Sequence, residues 1–544
     1  MLTLYPAKSV ITMNPSAPRA EGVLVRDGRI LEVGRLEQMS PWLDAYPHEV
    51  DDRFSNKVIC PGFIDPHLHP AMAAVLLPME FITAMRWKLP WGTVEPTTSA
   101  EDFTARMQAL HANKPADDLL LIWGYHQLWH GEMSRARINS VSSERPIVVW
   151  HRSFHELYMN DAALAMAHIN SEDIRPGSQI DFEQGHFFEN GLGFAINRLN
   201  PWILAPEKFA AGLQRLKAVV HHGGHTTIGD LATGLFDFEL EATALAQILE
   251  GEDVPFRTRL VANGLRMMAG GKTPEQGVEI ADALPQRNSH RLQFGRHIKL
   301  FSDGAFFSQL AQLQEPGYID GHHGEWLMPP EVLENSIRAY WQAGYQIHVH
   351  VTGDLGLELA LDCLEKMQFE KPRFNHGFTL EHFGFSTPEQ IIRIKALGAQ
   401  VSANVYYLHE LSDIYANNGI GYERASQMSR LGACFKAGIN TTLHSDFTMA
   451  PAEPLNSAWV AVNRVNHAGD VMCEAECLSA EQALQAITIN AAHVLGMADD
   501  TGSIRAGKYA DFTVLDEDPL TCEPMHIADL NIHATVFEGK VYPL

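Results

Sequence analysis

The 544-residue sequence has few cysteines, a deficit of positive charge and no long apolar run. Its six cysteines are scattered along the chain, which excludes a disulfide framework and favours free thiols in a reducing compartment. With 41 basic and 66 acidic residues, the formal net charge of −25 argues against nucleic acid or an anionic membrane as a partner. No window approaches the ~18–20 apolar residues of a membrane span, and the first residues lack a signal-peptide pattern. We therefore expect a cytoplasmic protein that acts on a small-molecule substrate; assembly as a homo-oligomer stays open.

The length of the chain exceeds the ~250–300 residues at which single cores stop growing, so a large domain with a smaller one is expected. Residues 20–34 and 534–542 each contain two apolar runs around an Asp-Gly or Glu-Gly pair, which indicates hairpins. Because both ends of the chain have this hairpin pattern, we predict a small β-sandwich domain built from residues 1–60 and 505–544.

The middle of the chain alternates between apolar strand patterns and helix patterns. Eight candidate strands lie at 58–65, 226–231, 256–264, 296–303, 345–351, 378–383, 399–405 and 440–446. Most of them are apolar without clean alternation, as is typical of parallel strands that are buried on both faces. The pattern predicts an α/β fold in which residues 61–504 form a (β/α)8 TIM barrel with function at the carboxyl ends of its strands. The interval at about 70–220 is too long for one crossover and predicts an inserted subdomain over the barrel mouth.

A His-x-His pair, His67 and His69, follows the first apolar run of the barrel. Since residues i and i+2 of a strand share a face, both imidazoles would project from one strand end and form half of a metal site. An isolated pair could instead be two hydrogen-bonded core histidines. Four further residues with metal-binding or acid–base chemistry end later apolar runs: Lys299, His350, His382 and Asp446.

Lys299 lies inside an apolar strand, where a charged and unpaired lysine is unfavourable. Burial lowers the pKa of a lysine, and a neutral amine can react with carbon dioxide to give a carbamate that bridges two cations. The alternative is an ion pair with Asp303 or another acid. We expect Lys299 to be a carbamate ligand.

On the fifth strand His348 and His350 share one face, and only one of them need be a ligand. His350 is nearer the carboxyl end, so we assign the ligand role to it and a packing or supporting role to His348. At the end of the eighth strand, Asp446 could bind a metal and hold the proton of a water; its alternative role is a helix N-cap. His444 shares its face and is a plausible supporting group. We interpret His221, His222 and His225 as structural because they precede a strand.

The order of these residues, together with several motifs, resembles the amidohydrolase superfamily, and in particular its amidohydrolase-3 branch with N-substituted formamide deformylase-like proteins. The motifs are PGFIDPHLH at 61–69, IKLFSDG at 298–304, VHVTGD at 349–354, SDF at 445–447, TINAA at 488–492, GSI at 502–504, GKYAD at 507–511 and VLD at 514–516. The resemblance implies a barrel with a β-sandwich from both termini and one or two divalent metal ions, commonly zinc. In that branch the insertion supplies a histidine near the substrate, a role that His155 matches.

These features lead us to expect a hydrolase that cleaves a C–N bond of an amide or N-substituted formamide through a metal-activated hydroxide. Asp446 would move the proton, and His155 or a metal would hold the developing negative oxygen. The alternatives are a deaminase of an aminated heterocycle, against which Lys299 counts, and a catalytically silent regulatory or binding protein on the same fold. The sequence leaves the substrate open.

Overall fold

In the computed structural model, which describes residues 1–115, 118–175 and 177–544, eight parallel strands form the predicted barrel. Each is hydrogen-bonded to the next in chain order. They are β1 (Phe63–Leu68), β2 (His225–Thr233), β3 (Arg257–Asn263), β4 (Leu292–Phe301), β5 (Gln346–Val351), β6 (Thr379–His382), β7 (Gln400–Ala403) and β8 (Thr441–Leu443). At the carboxyl rim, the amide of Asp446 donates to His67 O and the amide of His69 donates to Phe447 O, which joins the first and last strands.

The barrel prediction is confirmed, but one predicted strand is wrong. The apolar run 58–65 is two strands, Val58–Pro61 in the terminal sheet and β1 in the barrel, separated at Gly62. A Cβ at Gly62 would lie 1.9 Å from Thr226 Oγ1, so only glycine lets the chain pass β2 at this point. An unbroken apolar run hides this change of sheet, because both strands are buried.

Helices surround the barrel and follow its strands. They include Pro206–His222 before β2, and then Phe238–Leu249, Pro274–Ala283, Pro330–Gln342, Asp354–Glu370, Pro388–Leu397, Tyr406–Asn418, Leu431–Lys436, Pro454–Asn463, Ala480–Ala486 and Ile489–Val494. Several begin with proline at the first turn, where the missing amide hydrogen leaves no bond unmade. Pro388–Leu397 also has a Thr387 capping box and ends at Gly398 in the left-handed conformation.

Strands from both ends of the chain share one eight-stranded sheet. They are Leu2–Ile11, Arg19–Arg26, Arg29–Gly34, His48–Val50, Val58–Pro61, Phe512–Leu515, Ile532–Phe537 and Lys540–Pro543. Val58–Pro61 pairs with Leu2–Ile11 on one side and with Phe512–Leu515 on the other, so it joins the two ends. Apolar side chains of both halves, such as Val23 and Phe512, share one core.

Between β1 and β2 the chain forms a second sheet and several helices. Its strands are Ile180–Asp181, His186–Phe188, Glu156–Met159, Ile147–His151, Leu120–Tyr125 and Glu80–Phe81, in that order across the sheet. Two helices of 14 residues, Ala100–Asn113 and Asn190–Ile203, belong to this insertion. A hairpin is formed by Trp87–Leu89 and Gly92–Val94.

Within the part of the chain that the structure describes, no helix is both long and apolar enough to cross a bilayer.

Candidate metal centre

The first group of predicted site residues meets where β1 and β8 end. His69 Nε2 lies 3.0 Å from Asp446 Oδ1, and His67 Nε2 lies 3.6 Å from the same oxygen. One donor atom from each of the three residues falls within 4.8 Å of the other two. Two imidazoles and a carboxylate at this spacing can share one metal ion.

The second group lies beside the first, on β4, β5 and β6. Lys299 Nζ is 3.5 Å from His382 Nε2, and the ring centroids of His350 and His382 are 4.3 Å apart. The other carboxylate oxygen of Asp446 is 3.6 Å from His382 Nδ1. The structure thus places all six predicted ligands around one space, with Asp446 between the two groups.

The backbone is unusual where these side chains enter the site. His382 and Asp446 have φ angles of 72° and 53°, in the left-handed region that residues other than glycine rarely adopt. Such conformations persist where the surrounding structure holds them, and they cluster at functional sites. His382 is the last residue of β6, and Asp446 lies three residues after the end of β8. At both positions the left-handed backbone turns the side chain into the common space.

The donor atoms fit a divalent cation. Among the described residues, His67 Nε2 and His350 Nε2 are buried nitrogens with no hydrogen-bond partner. A buried acceptor without a partner is unfavourable by ~1–3 kcal/mol, and a bound cation would remove that penalty. Neutral imidazoles and carboxylates are the donors that zinc and related divalent ions take in catalytic sites.

Burial also sets the protonation states that metal binding requires. It lowers the pKa values of His67, His350 and His382 well below that of free histidine, so each ring is neutral near pH 7. Burial lowers the pKa of Lys299 to about 8, although Glu381 and Asp446 act in the opposite direction. Metal ligands must be deprotonated, and all four groups are shifted toward that state.

His348 points away from this space. Its Nδ1 lies 2.6 Å from Glu381 Oε1, and its Nε2 lies 3.0 Å from His297 Nδ1. Glu381 Oε2 in turn lies 2.7 Å from His67 Nδ1. His350, by contrast, lines the cavity above the site, as expected for the histidine nearer the strand end.

Glu381 was missed by the sequence reasoning. It precedes His382 in the fully buried strand Thr379–His382, and the argument applied to Lys299, that a buried charge needs a partner, applies equally to it. His444 is also buried beside the proposed ligands. Ser402 Oγ is 2.7 Å from His444 Nδ1, and His444 Nε2 is 3.3 Å from His382 Nδ1.

The insertion places His155 at the edge of the site. Its ring centroid is 5.9 Å from that of His350, and its Nδ1 is 2.7 Å from Glu189 Oε2. Burial by itself lowers the pKa of His155, but the Glu189 carboxylate reverses this effect and raises the pKa above its usual value. Glu189, also missed from the sequence, has φ 45° and ψ −114°, and its Oε1 accepts a bond from the amide of Ala305 at 3.3 Å.

A cavity of about 350 Å³ opens above the two groups. The donors His69, Lys299, His350, His382 and Asp446 line it on one side. Its other walls are largely apolar and come from the insertion, from the carboxyl ends of β2 and β4, and from the segments after β2, β3 and β4: Met72, Phe154, Leu192, Ile196, Ala232, Leu235, Leu265, Phe301 and Leu327. The volume is within the usual range of small-molecule sites.

The histidines interpreted as structural lie elsewhere. His221 and His222 end the helix Pro206–His222, and His225 begins β2, at the opposite end of the barrel from the cavity. His225 Nδ1 is 2.8 Å from Val220 O.

Known proteins resemble this chain in sequence and in fold. The chain is 24% identical over 549 residues to the N-substituted formamide deformylase of Arthrobacter pascens, covering 98% of this chain and 96% of that protein. It is 23% identical over 462 residues to the exoenzymes regulatory protein AepA of Pectobacterium carotovorum, covering 81% and 93%. The crystal structure of an uncharacterized metal-dependent hydrolase from Pyrococcus horikoshii matches the fold with a TM-score of 0.73, at 21% identity, over 97% of this chain and 99% of that one. The model of the amidohydrolase family matches residues 55–543, and the chain therefore belongs to the amidohydrolase family.

Proposed function

We propose that this protein hydrolyses a C–N bond, of the amide or N-substituted formamide type, in a small molecule. The observation that carries the proposal is the convergence of six side chains from five barrel strands, with unsatisfied buried nitrogens, beside a cavity of about 350 Å³. The full-length similarity to a formamide deformylase supports this bond type.

The proposed ligands are His67, His69 and Asp446 for one divalent ion and His350 and His382 for a second, with Lys299 as a carbamate between them. Zinc is the first choice for histidine and carboxylate donors. A divalent ion bound there would supply Lewis-acid chemistry, which polarises a carbonyl and lowers the pKa of water to about 7. Lys299 Nζ lies 3.5 Å from His382 Nε2, and the Lys299 charge also acts on His67 of the first group, which supports a position between the two groups.

Asp446 is the proposed proton carrier. Its two oxygens face different groups of histidines, and its side chain lines the cavity, so it can take a proton from water and return it to the leaving nitrogen. His155 is the proposed donor to the substrate oxygen. The Glu189 carboxylate favours the imidazolium form of His155, in which Nδ1 donates to Glu189 and the Nε2–H remains for a carbonyl oxygen, on which negative charge develops during attack.

The test of this function uses the purified protein before and after metal removal with a chelator. Each sample is supplied with a panel of neutral amides and N-substituted formamides, and the released amine and acid are measured. We expect turnover in the metal-containing sample, its loss after chelation, and its recovery with added zinc. Turnover that is unchanged by complete removal of divalent ions would contradict the proposal.

Two other functions are separated when aminated heterocycles are added to the panel and released ammonia is measured as well. A deaminase would release ammonia from aminated heterocycles and leave the amides intact. A regulatory protein, the role named for the Pectobacterium relative, would leave every substrate intact while it still binds metal. The continuous set of donors and the open cavity favour hydrolysis over a silent site.

A further inference from the structure

Glu381 is a fully buried carboxylate in the barrel interior, one layer below the cavity. Its two oxygens are used separately: Oε2 is 2.7 Å from His67 Nδ1, and Oε1 is 2.6 Å from His348 Nδ1. The cavity lining does not include Glu381, so it does not reach a substrate there.

The contact to His67 has a consequence for the opposite nitrogen of that ring. Because a carboxylate only accepts hydrogen bonds, His67 must carry its proton on Nδ1, which leaves the lone pair on Nε2. Nε2 is the nitrogen that is buried without a partner among the described residues and that lies 3.6 Å from Asp446. The contact thus selects both the tautomer and the orientation that a ligand needs.

The contact with His348 keeps the Glu381 carboxylate in place. The other ring nitrogen of His348 lies 3.0 Å from His297 Nδ1. One buried chain of hydrogen bonds therefore runs from His297 through His348 and Glu381 to His67. Glutamate is suited to this place because it accepts from two ring N–H groups at once. A glutamine has one acceptor and one donor end, and could serve only one of the rings in this way.

We propose that Glu381 is a positioning residue, which holds His67 as a metal ligand and thereby sets the affinity of the site for its divalent ion. This inference rests on the metal centre proposed above. It assigns to Glu381 no contact with the substrate; its effect on turnover follows from metal occupancy.

The test compares Glu381→Gln with the unaltered protein by competition with a chromophoric chelator for zinc. We expect the affinity for at least one zinc ion to fall by about 10–100-fold, as is typical when a partner of a metal-binding histidine is removed. In the cobalt-substituted proteins, the absorption bands of the bound ion should also differ, because the donor ring is less firmly oriented. Equal zinc affinity and equal cobalt spectra would overturn the inference.

The matched control is Glu241→Gln. Glu241 is a buried carboxylate that accepts bonds from the amides of Gly234, Leu235 and Asp237, and it touches no proposed ligand. The Glu241→Gln substitution should lower the unfolding temperature of the protein while leaving its zinc affinity unchanged. A fall in zinc affinity equal to that of Glu381→Gln would show general loosening, and would overturn the specific role.

A second variant guards against a misfolded Glu381→Gln. His348→Phe removes one anchor of Glu381 but leaves the contact to His67, so we expect a smaller loss of zinc affinity in the same direction. No loss, in a folded protein, would overturn the two-point arrangement. If the unaltered protein itself takes up no divalent ion, the proposed function fails first, and this outcome is distinct from all the others.

Discussion

At the scale of single residues, Asp446 stands between the two groups of metal-competent side chains. One of its oxygens faces His69 and the other faces His382, so its carboxylate can contribute both a ligand oxygen and a proton acceptor. An amide in its place keeps an oxygen donor but cannot take up a proton near neutral pH.

Asp446→Asn should therefore retain most of its metal and lose turnover by about 10²–10⁴-fold, the usual contribution of general acid–base catalysis. Steady-state kinetics and elemental analysis on the same preparation measure the two quantities. Full activity in this variant would remove Asp446 from the proton transfer.

Lys299→Ala should lose at least one equivalent of metal, because the proposed carbamate would be a ligand that no neighbour replaces. Lys508→Ala is the control, since Lys508 is also a mostly buried lysine but donates to Thr501 O and Ser503 Oγ far from the site. Elemental analysis measures the metal content of the Lys299→Ala and Lys508→Ala variants. Unchanged metal content in Lys299→Ala would refute the bridge.

Glu189→Gln tests the charge on His155. The pKa of His155 is raised, so the ring carries its positive charge at pH values below that pKa. The charge is lost as the pH rises through the pKa. Without the Glu189 carboxylate this pKa falls, so the alkaline limb of kcat/KM should move to lower pH and kcat/KM at neutral pH should fall by about 10–100-fold. Asp446 and Glu156 also act on His155 and remain in the variant.

Metal content should not change in Glu189→Gln, because Glu189 contacts no proposed ligand. Glu325→Gln, which alters a carboxylate bonded to Gln179 in the neighbouring loop, should leave the pH profile as it was. An identical profile in Glu189→Gln would separate Glu189 from the role of His155.

The residues that could be predicted from the sequence are those at strand ends within long apolar runs, such as His67, Lys299 and Asp446. Glu381 and Glu189 could not be placed because their partners come from distant parts of the chain. Glu189 pairs with a histidine 34 positions earlier, and Glu381 with one 314 positions earlier. Only the closed barrel and the folded insertion bring these partners together.

At the scale of elements, the site depends on how closely β1 and β2 approach. A Cβ at Gly229 on β2 would lie 2.2 Å from Pro66 O on β1, next to His67. This contact is with backbone, which cannot move aside as a flexible side chain could.

Gly229→Ala should therefore destabilise the protein by about 1–3 kcal/mol, as overpacking in a core does. Gly193→Ala is the control: Gly193 lies in the helix Asn190–Ile203, and among the described residues no atom outside its own stretch of helix lies within 4 Å of an added Cβ, so the change should be neutral or stabilising. Chemical denaturation measures both. Equal stability of the two variants would contradict the close approach of β1 and β2.

Strand and helix positions in the barrel were predictable because buried parallel strands and proline-initiated helices have clear local patterns. The strand predicted at 345–351 is observed at Gln346–Val351, and the helix Pro388–Leu397 has proline at its start and Gly398 after its end. The insertion was not resolvable into elements from its sequence, because its strands are only two to six residues long and Glu80–Phe81 pairs with Leu120–Tyr125, which is distant along the chain.

At the scale of the whole molecule, a buried ion cluster joins the barrel to the terminal sheet. Arg257, the first residue of β3, contacts Asp511, and its Nη2 lies 2.9 Å from Glu538 Oε1. The acidic partners precede and follow strands of the terminal sheet. The cluster therefore ties the amino-terminal end of the barrel, away from the cavity, to the carboxyl-terminal part of the chain.

Arg257→Leu should reduce the free energy of unfolding by about 3–5 kcal/mol, because it leaves the buried Asp511 carboxylate without its charged partner. Arg287→Leu, which removes an exposed pair with Glu239, should change it by only ~0–1 kcal/mol. Equilibrium denaturation compares the two. A small effect of Arg257→Leu would show that the cluster does not hold the two parts together.

The walls of the cavity come from the barrel and from the insertion, and these two parts of the chain have different roles. The proposed metal ligands are carried by the barrel rim, whereas Leu192 and Ile196 of the helix Asn190–Ile203 belong to an insertion that leaves the barrel after β1 and returns before β2. Evolution could therefore remodel the shape of the binding chamber by altering the apolar residues of one contiguous segment and leave the metal ligands untouched. Such a division of labour would let relatives diverge in what they accept while they preserve how they react.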